Sequence, residues 1–316
     1  MNTTTAKVRK CIKQALPKSV KTCLWLLKII LPISLAVRLL QYSGLLGEFS
    51  AWLEPVFSLV GLPGETAIVF LTSVFCPLYA PIALISSMAL GVREATILAL
   101  MCLVSHNLIV ESSVQAKTGS HFWEITLLLL LMSFVIAFSL NRIMPQTGWG
   151  TVGVTVSAAT GSNLWDVLAL WFMSSMKVIL TIVLIVTSLM ILHYLLEEFR
   201  LMRGLSTVFA PLMNVFGLPR DTAFLWLVGN VVGLAYGGAI MVEQVEQKKL
   251  SYKNGNLLNY HLAVNHSMLE DTIIFVAIGI PALWILIPRL VFAAAAVWLR
   301  RLFNSMYISR KIKTSS

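Results

Sequence analysis

VNHSMLEDTIIFVAIG (Val264–Gly279) sets an asparagine, a histidine, a serine and two carboxylates at the head of an apolar run. Its opening has a counterpart far upstream, VSHNLIVESS (Val104–Ser113). Two heptapeptides also match, GLPGETA (Gly61–Ala67) and GLPRDTA (Gly217–Ala223), after similar lead-ins, SAWLEPVFSLV and STVFAPLMNVF. Anchors in the same order at nearly the same separation mark two copies of one unit. The copies cover residues 21–144 and 166–303, and the Gly-, Thr- and Ser-rich stretch 145–165 reads as the linker.

Composition sets the medium. The chain is 58% hydrophobic and 12% charged, against roughly 25% charged in a soluble domain. Ile125–Leu140, Val178–Leu196 and Pro281–Leu299, the last interrupted only by Arg289, approach the length of a membrane span. Helices satisfy their own backbone in lipid, so a polytopic all-α membrane protein is predicted. The net charge of +10 collects in basic tails, 1–20 and 304–316, and in Arg300 and Arg301 beside the latter. Basic flanks mark the cytoplasmic face and anionic headgroups, which makes the lipid bilayer, not nucleic acid, the expected partner. The charged first twenty residues do not read as a cleavable signal peptide. Four cysteines form no CxxC pair and no disulfide framework; Cys76 and Cys102 fall in apolar segments and read as small packed hydrophobes, and are also weak candidates for a soft metal.

Each copy parses alike. A long apolar helix (Thr22–Leu46, Leu168–Leu196) precedes an amphipathic interfacial helix (Phe49–Val60, Leu205–Phe216). Next comes a segment opening at GLPxxTA, broken at Pro77 and Pro81 in one copy and at Gly233, Gly237 and Gly238 in the other. Two helices complete the copy, Arg93–Ala116 with Phe122–Arg142 and Gly255–Val276 with Pro281–Leu302. Lys248, Lys249 and Lys253 place the loop 247–254 inside, whereas the loop 47–54 carries only Glu48 and Glu54 and reads as outside. These sides agree only if each broken segment is a re-entrant hairpin. The fold predicted is therefore two inverted repeats, each of about three transmembrane helices, an interfacial helix and a re-entrant hairpin. The protein is expected to be multi-pass in the cell inner membrane, with both termini cytoplasmic.

The recurring polar residues are the candidate site. Glu65 with Thr66, and Asp221 with Thr222, open the broken segments, where helix capping is the competing role. His106 matches His266 and Glu111 matches Asp271, with Asn107 and Asn265 beside the histidines. Glu270 stands one turn after His266 on the same helical face. The histidines could instead be structural groups bonded between helices, although ionisable groups inside spans mark functional sites. A carboxylate–imidazole pair can carry a proton or coordinate Na⁺. His106 and His266 are also weak metal candidates. No Walker loop, H-E-x-x-H or marked nucleophile occurs, so neither an enzyme nor a cofactor beyond H⁺ or Na⁺ is expected.

GLPxxTA, the broken segments and NHSMLEDTIIFVAIG resemble the "nucleoside recognition" or Gate domain. That domain occurs in spore maturation proteins A and B, in the membrane part of the ferrous iron transporter FeoB and in the hairpins of concentrative nucleoside transporters. The resemblance implies a transport-like core of two hairpins and paired helices. Where the nucleoside transporters carry G-Q-T-E, this chain has Gly64-Glu65-Thr66-Ala67. A cation or a polar solute therefore fits the resemblance better than a nucleobase does, and a FeoB-like reading would enlist Cys76, Met101, Cys102 and His106. Three functions follow: a transporter of a small polar solute or ion, proton- or sodium-coupled; a non-transporting membrane partner in envelope or spore assembly; and a divalent-metal permease. A homo-oligomer or a second membrane protein is the partner these readings leave open.

Overall fold

A computed structural model describes residues 3–152, 163–199 and 201–314, so the middle of the linker reading at 145–165 falls on residues outside those described. The first copy consists of α1 (Thr3–Tyr42), α2 (Leu45–Ser58), a 3₁₀ turn (Gly64–Thr66), α3 (Ala67–Phe75), α4 (Tyr79–Ser87), α5 (Val92–Ser105), α6 (Leu108–Ala116) and α7 (Phe122–Ile143). The second repeats the order: α8 (Leu164–Glu198), α9 (Leu201–Val215), a 3₁₀ turn (Arg220–Thr222), α10 (Ala223–Val231), α11 (Leu234–Glu246), α12 (Tyr252–Val264), α13 (Met268–Ala277) and α14 (Ala282–Thr314). Leu90–Gly91 pairs antiparallel with Thr151–Val152, the one sheet among the described residues.

The same local chemistry builds both copies. Gly61 and Gly217 take positive φ, 75° and 71°, at the turn before each Leu-Pro. Thr66 and Thr222 donate their hydroxyls to the carbonyls of Pro63 and Pro219, at 2.7 and 2.6 Å. Proline starts the 3₁₀ turn because it needs no N–H partner there. The hairpin helices then break where the sequence predicts, at Cys76–Leu78 around Pro77 and at Val232–Gly233, where Gly233 has φ 89°. Pro81 lies instead in the first turn of α4, where a proline needs no helical N–H partner, and Gly237 and Gly238 lie inside α11. A Cβ on Gly237 would stand 3.1 Å from the Gly229 Cα, so these glycines set how closely α10 and α11 approach.

Apolar helices long enough to cross a membrane are Phe122–Ile143, Ile179–Leu196 within α8, and Ala282–Met306 within α14. The pair α5 and α6, bent by 40°, adds one more if it forms a single span. On α7, Leu127, Leu131, Val135 and Phe138 are exposed while Ile125, Leu129, Ile136 and Leu140 are buried. A helix apolar on its exposed and its buried face alike belongs in lipid. Thr22–Leu46 is not among these helices; it carries Lys28 and Arg38 and spans the end of α1 and the start of α2.

Two helices expected to be continuous are not. Arg93–Ala116 divides into α5 and α6 at His106–Asn107, and Gly255–Val276 into α12 and α13 at Asn265–Ser267. Asn107 and Ser267 hold positive φ, 48° and 47°, which ends a helix. The freed amides are reused: Asn107 N donates to Ser73 O at 2.8 Å, and Ser267 N to Gly229 O at 2.9 Å. Each acceptor lies in the last turn of a hairpin helix, α3 or α10, where carbonyls have no partner within the helix. Helical periodicity cannot show this exchange, because it depends on a hairpin folded back onto the break.

The chain forms two compact units. The first contains Met1–Asn107, Ser133–Glu198 and Asp271–Ile285; the second contains Leu108–Met132, Phe199–Glu270 and Leu286–Ser316. Each copy thus lends a piece following its helix break to the unit built mainly from the other. In the first unit α1 packs along α8 and on α4, and Phe57, Phe70 and Phe134 meet edge to face. In the second, α6 packs on α11 and α12, around a core including Trp226, Met241, Leu258 and Leu262.

A Cβ on Gly255 would lie 2.0 Å from the Thr118 carbonyl oxygen, so α12 and the end of α6 can approach only at glycine. Gly255→Ala should destabilise the protein by about 1–3 kcal/mol. Gly204→Ala, on an exposed turn of α9 with no atom near the added methyl, should stabilise it by up to ~1 kcal/mol. Thermal unfolding in detergent measures both; a lower midpoint for Gly204→Ala or none for Gly255→Ala would contradict this packing.

Candidate functional site

The break between α12 and α13 lies in the second unit and is densely polar. Leu262 O is 2.8 Å from His266 Nδ1. A carbonyl oxygen only accepts, so Nδ1 carries a hydrogen. Nε2 faces Glu111 Oε1 at 3.0 Å, with the two side chains 2% and 7% exposed. One hydrogen must lie in that contact. Either the imidazolium donates to a carboxylate, or a carboxylic acid donates to a neutral imidazole. The two forms differ only in which atom holds the proton. Removing it would face a lone pair with a carboxylate, a combination that needs another cation.

Arg289 pins the break from α14. It is fully buried, its Nη2 donates to His266 O, and its Nε lies 3.4 Å from Val264 O. These are carbonyls left over at the C-terminal end of α12, where a cation also complements the helix dipole. Sequence reading met Arg289 only as an interruption of a span; a lone charge inside an apolar run was the signal to pursue. Asn265 Nδ2 reaches Asn230 Oδ1 at 3.3 Å, and Asn230 Nδ2 donates to Trp226 O at 2.9 Å, which ties the break to α10. His261 is fully buried beneath this region and accepts the Trp226 indole N–H at Nδ1, at 3.2 Å.

The remaining candidates are placed as follows. His106, Asn107 and Asp271 belong to the first unit. His106 repeats the tautomer of its counterpart, with Nδ1 3.1 Å from Leu103 O. Asp271 is buried in the first turn of α13, and Glu270, in the second unit, is half-buried. Glu65 and Asp221 are exposed, while Thr66 and Thr222 are buried and spend their hydroxyls on the local proline carbonyls. The amide of Gly64 is held by the Glu54 carboxylate, a partner supplied by α2 and not by the GLPxxTA motif. Cys76 and Cys102 are free thiols whose backbone carbonyls accept from Asn107 N at 3.2 Å and His106 N at 2.9 Å. Sequence reading did not single out Asn230, whose side chain is addressed only through the folded hairpin.

Apolar helices long enough to cross a bilayer, around a duplicated hairpin and broken helix, mark a helical membrane protein. The "nucleoside recognition" Gate family model matches residues 23–143. The chain is 31% identical to the uncharacterized membrane protein YvoD of Bacillus subtilis (strain 168) over 285 residues, covering 89% of this chain and 91% of that one. The chain is a membrane protein of the Gate family. No solved structure matches it.

Replacing Arg289 by methionine removes both carbonyl contacts and leaves buried acceptors behind, which should cost about 2–4 kcal/mol. Glu111→Gln keeps a donor toward His266 Nε2 and should cost under about 1 kcal/mol, whereas Glu111→Leu should cost clearly more. Chemical denaturation in mixed micelles ranks the three; equal losses would contradict the bonding described.

Proposed function

We propose that the protein is a proton-coupled secondary transporter of the cell inner membrane that moves a small polar solute or ion. In this reading the two copies are inverted, α3–α4 and α10–α11 are re-entrant hairpins, and both termini face the cytoplasm. The Glu111–His266 contact carries the proposal, since it is a buried pair that stores one proton in a backbone break. Nothing in this arrangement calls for covalent chemistry, and the protein acts as a carrier, not as an enzyme.

Reconstituted proteoliposomes with an acidic exterior test this against a panel of polar solutes, nucleosides, Na⁺ and divalent cations. Uptake of one member should be driven by the pH gradient and fall to the level of protein-free liposomes in Glu111→Gln and in His266→Asn. Uptake of Fe²⁺ that ignores the gradient would establish the metal permease instead. No uptake across the panel, together with a membrane protein that co-purifies stably, would establish an assembly partner.

A further inference from the structure

Gln115 follows Glu111 by one helical turn on the same face of α6. Its side chain is fully buried, and neither the amide oxygen nor the amide nitrogen has a hydrogen-bond partner among the described residues. An amide so placed costs a few kcal/mol, which a protein retains where water or a ligand uses the group. Beyond Gln115 the polar groups continue without interruption. Asn259 Nδ2 donates to Gln115 O at 2.9 Å and to Ser120 Oγ at 3.0 Å, and Thr118 Oγ1 donates to Asn259 Oδ1 at 3.0 Å. Asn256 Nδ2 reaches the same Ser120 Oγ at 2.9 Å, and its Oδ1 accepts from Arg300 Nε at 2.9 Å. Arg300 pairs with Glu124 at 2.8 Å, and both are about a quarter exposed. Tyr260 donates to the same carboxylate. The stripe therefore runs from a buried pair to a charged surface, all within the second unit.

The other copy lacks it. Gly119 and Gly279 correspond, both at positive φ (114° and 99°). In that register Gln115, Thr118 and Ser120 are matched by Phe275, Ile278 and Ile280, and Asn256 and Asn259 by Thr96 and Ala99. The polar version adds a path.

We propose that the α6–α12 polar stripe is the route by which a proton reaches the Glu111–His266 pair from the Glu124–Arg300 surface, with Gln115 holding the water that joins pair and network. A proton taken from bulk water at Glu124 passes along water held against the amide and hydroxyl groups of the stripe and comes to rest between Glu111 Oε1 and His266 Nε2; its return leaves every other group unchanged. The stripe ends against the loop with Lys248, Lys249 and Lys253, since a Cβ on Gly119 would stand 2.3 Å from Tyr252 O, so the route opens on the side read as cytoplasmic. The other titratable or charged groups on elements packed against α6 are Tyr252, Lys253, Tyr260 and His261 on α12 and Glu243 and Glu246 on α11, and Arg289 of α14 is bonded to the backbone of His266. None of these lies in the hydrogen-bond chain from Gln115 to Ser120.

The inference rests on the proton-coupled reading, and the experiment separates the two. Full-length protein in nanodiscs is subjected to a pH jump, and the infrared band of the pair is followed, assigned by its loss in Glu111→Gln and His266→Asn. Gln115→Met and Gln115→Leu should leave the midpoint of that titration unchanged but slow the response at least about tenfold, equivalent to ~1.4 kcal/mol on the barrier. Gln115→Met should also melt at the same temperature or higher, because an unpartnered buried amide is gone, and Gln115→Ser should retain the fast response. Unchanged rates in both apolar variants would overturn the route while leaving the proton-coupled reading standing. So would a Gln115→Met protein that melts lower, which would make the amide structural. A wild-type pair that does not titrate at all would overturn the reading and the route together.

Discussion

A helix broken inside an apolar interior leaves amides and carbonyls that water cannot reach, and every unusual feature of this protein answers that constraint. The breaks at Asn107 and Ser267 release an amide each, and the ends of α3 and α10 release carbonyls; the fold joins one to the other. Hairpin and broken helix are thus bound by backbone geometry rather than by any particular side chain. That is why the joint recurs in both copies although Ser73 and Gly229 differ chemically. At the second break a further pair of carbonyls is taken up by Arg289 from α14. The guanidinium is tolerated where it is because the backbone supplies its acceptors.

Once the break is held in this way, the side chains around it gain fixed roles. His266 spends one nitrogen on Leu262 O and so presents the other to Glu111, in a contact that needs one hydrogen. In that low-dielectric setting a contact left without its hydrogen would be costly. Neither half of the pair would be ordered without the break. The chemistry of the site is therefore a consequence of the same backbone requirement that shapes the fold.

The two copies have diverged along the stripe. Where one keeps Gln115, Asn256 and Asn259, the other keeps Phe275, Thr96 and Ala99, and Gly255, which admits the Thr118 carbonyl, is matched by Ala95. A duplicated scaffold with an unequal interior is suited to a task that has a direction, and the membrane gives it two different sides to face.

Much was legible in the residues themselves. GLPxxTA and the matched histidine patches revealed the duplication, the apolar runs located α7, α8 and α14, and Pro77 and Gly233 marked the hairpin turns, because each of these signals is local in the chain. The pairing of His266 with Glu111 was not legible: repeat matching sets His266 beside His106 and Glu111 beside Asp271, and within one stretch the nearer acid to His266 is Glu270. Glu65 and Asp221 looked equally apt, yet stand exposed, because the 3₁₀ turn directs them outward while Thr66 and Thr222 turn in. Sequence alone determined the medium, the helical class and the twofold repetition, since composition and periodicity suffice for these. Only the tertiary structure decided where the long helices break, which acid meets which histidine and that the Gln115 side-chain amide lies buried without a partner among the described residues, because those depend on a piece of one copy packing into the unit built from the other.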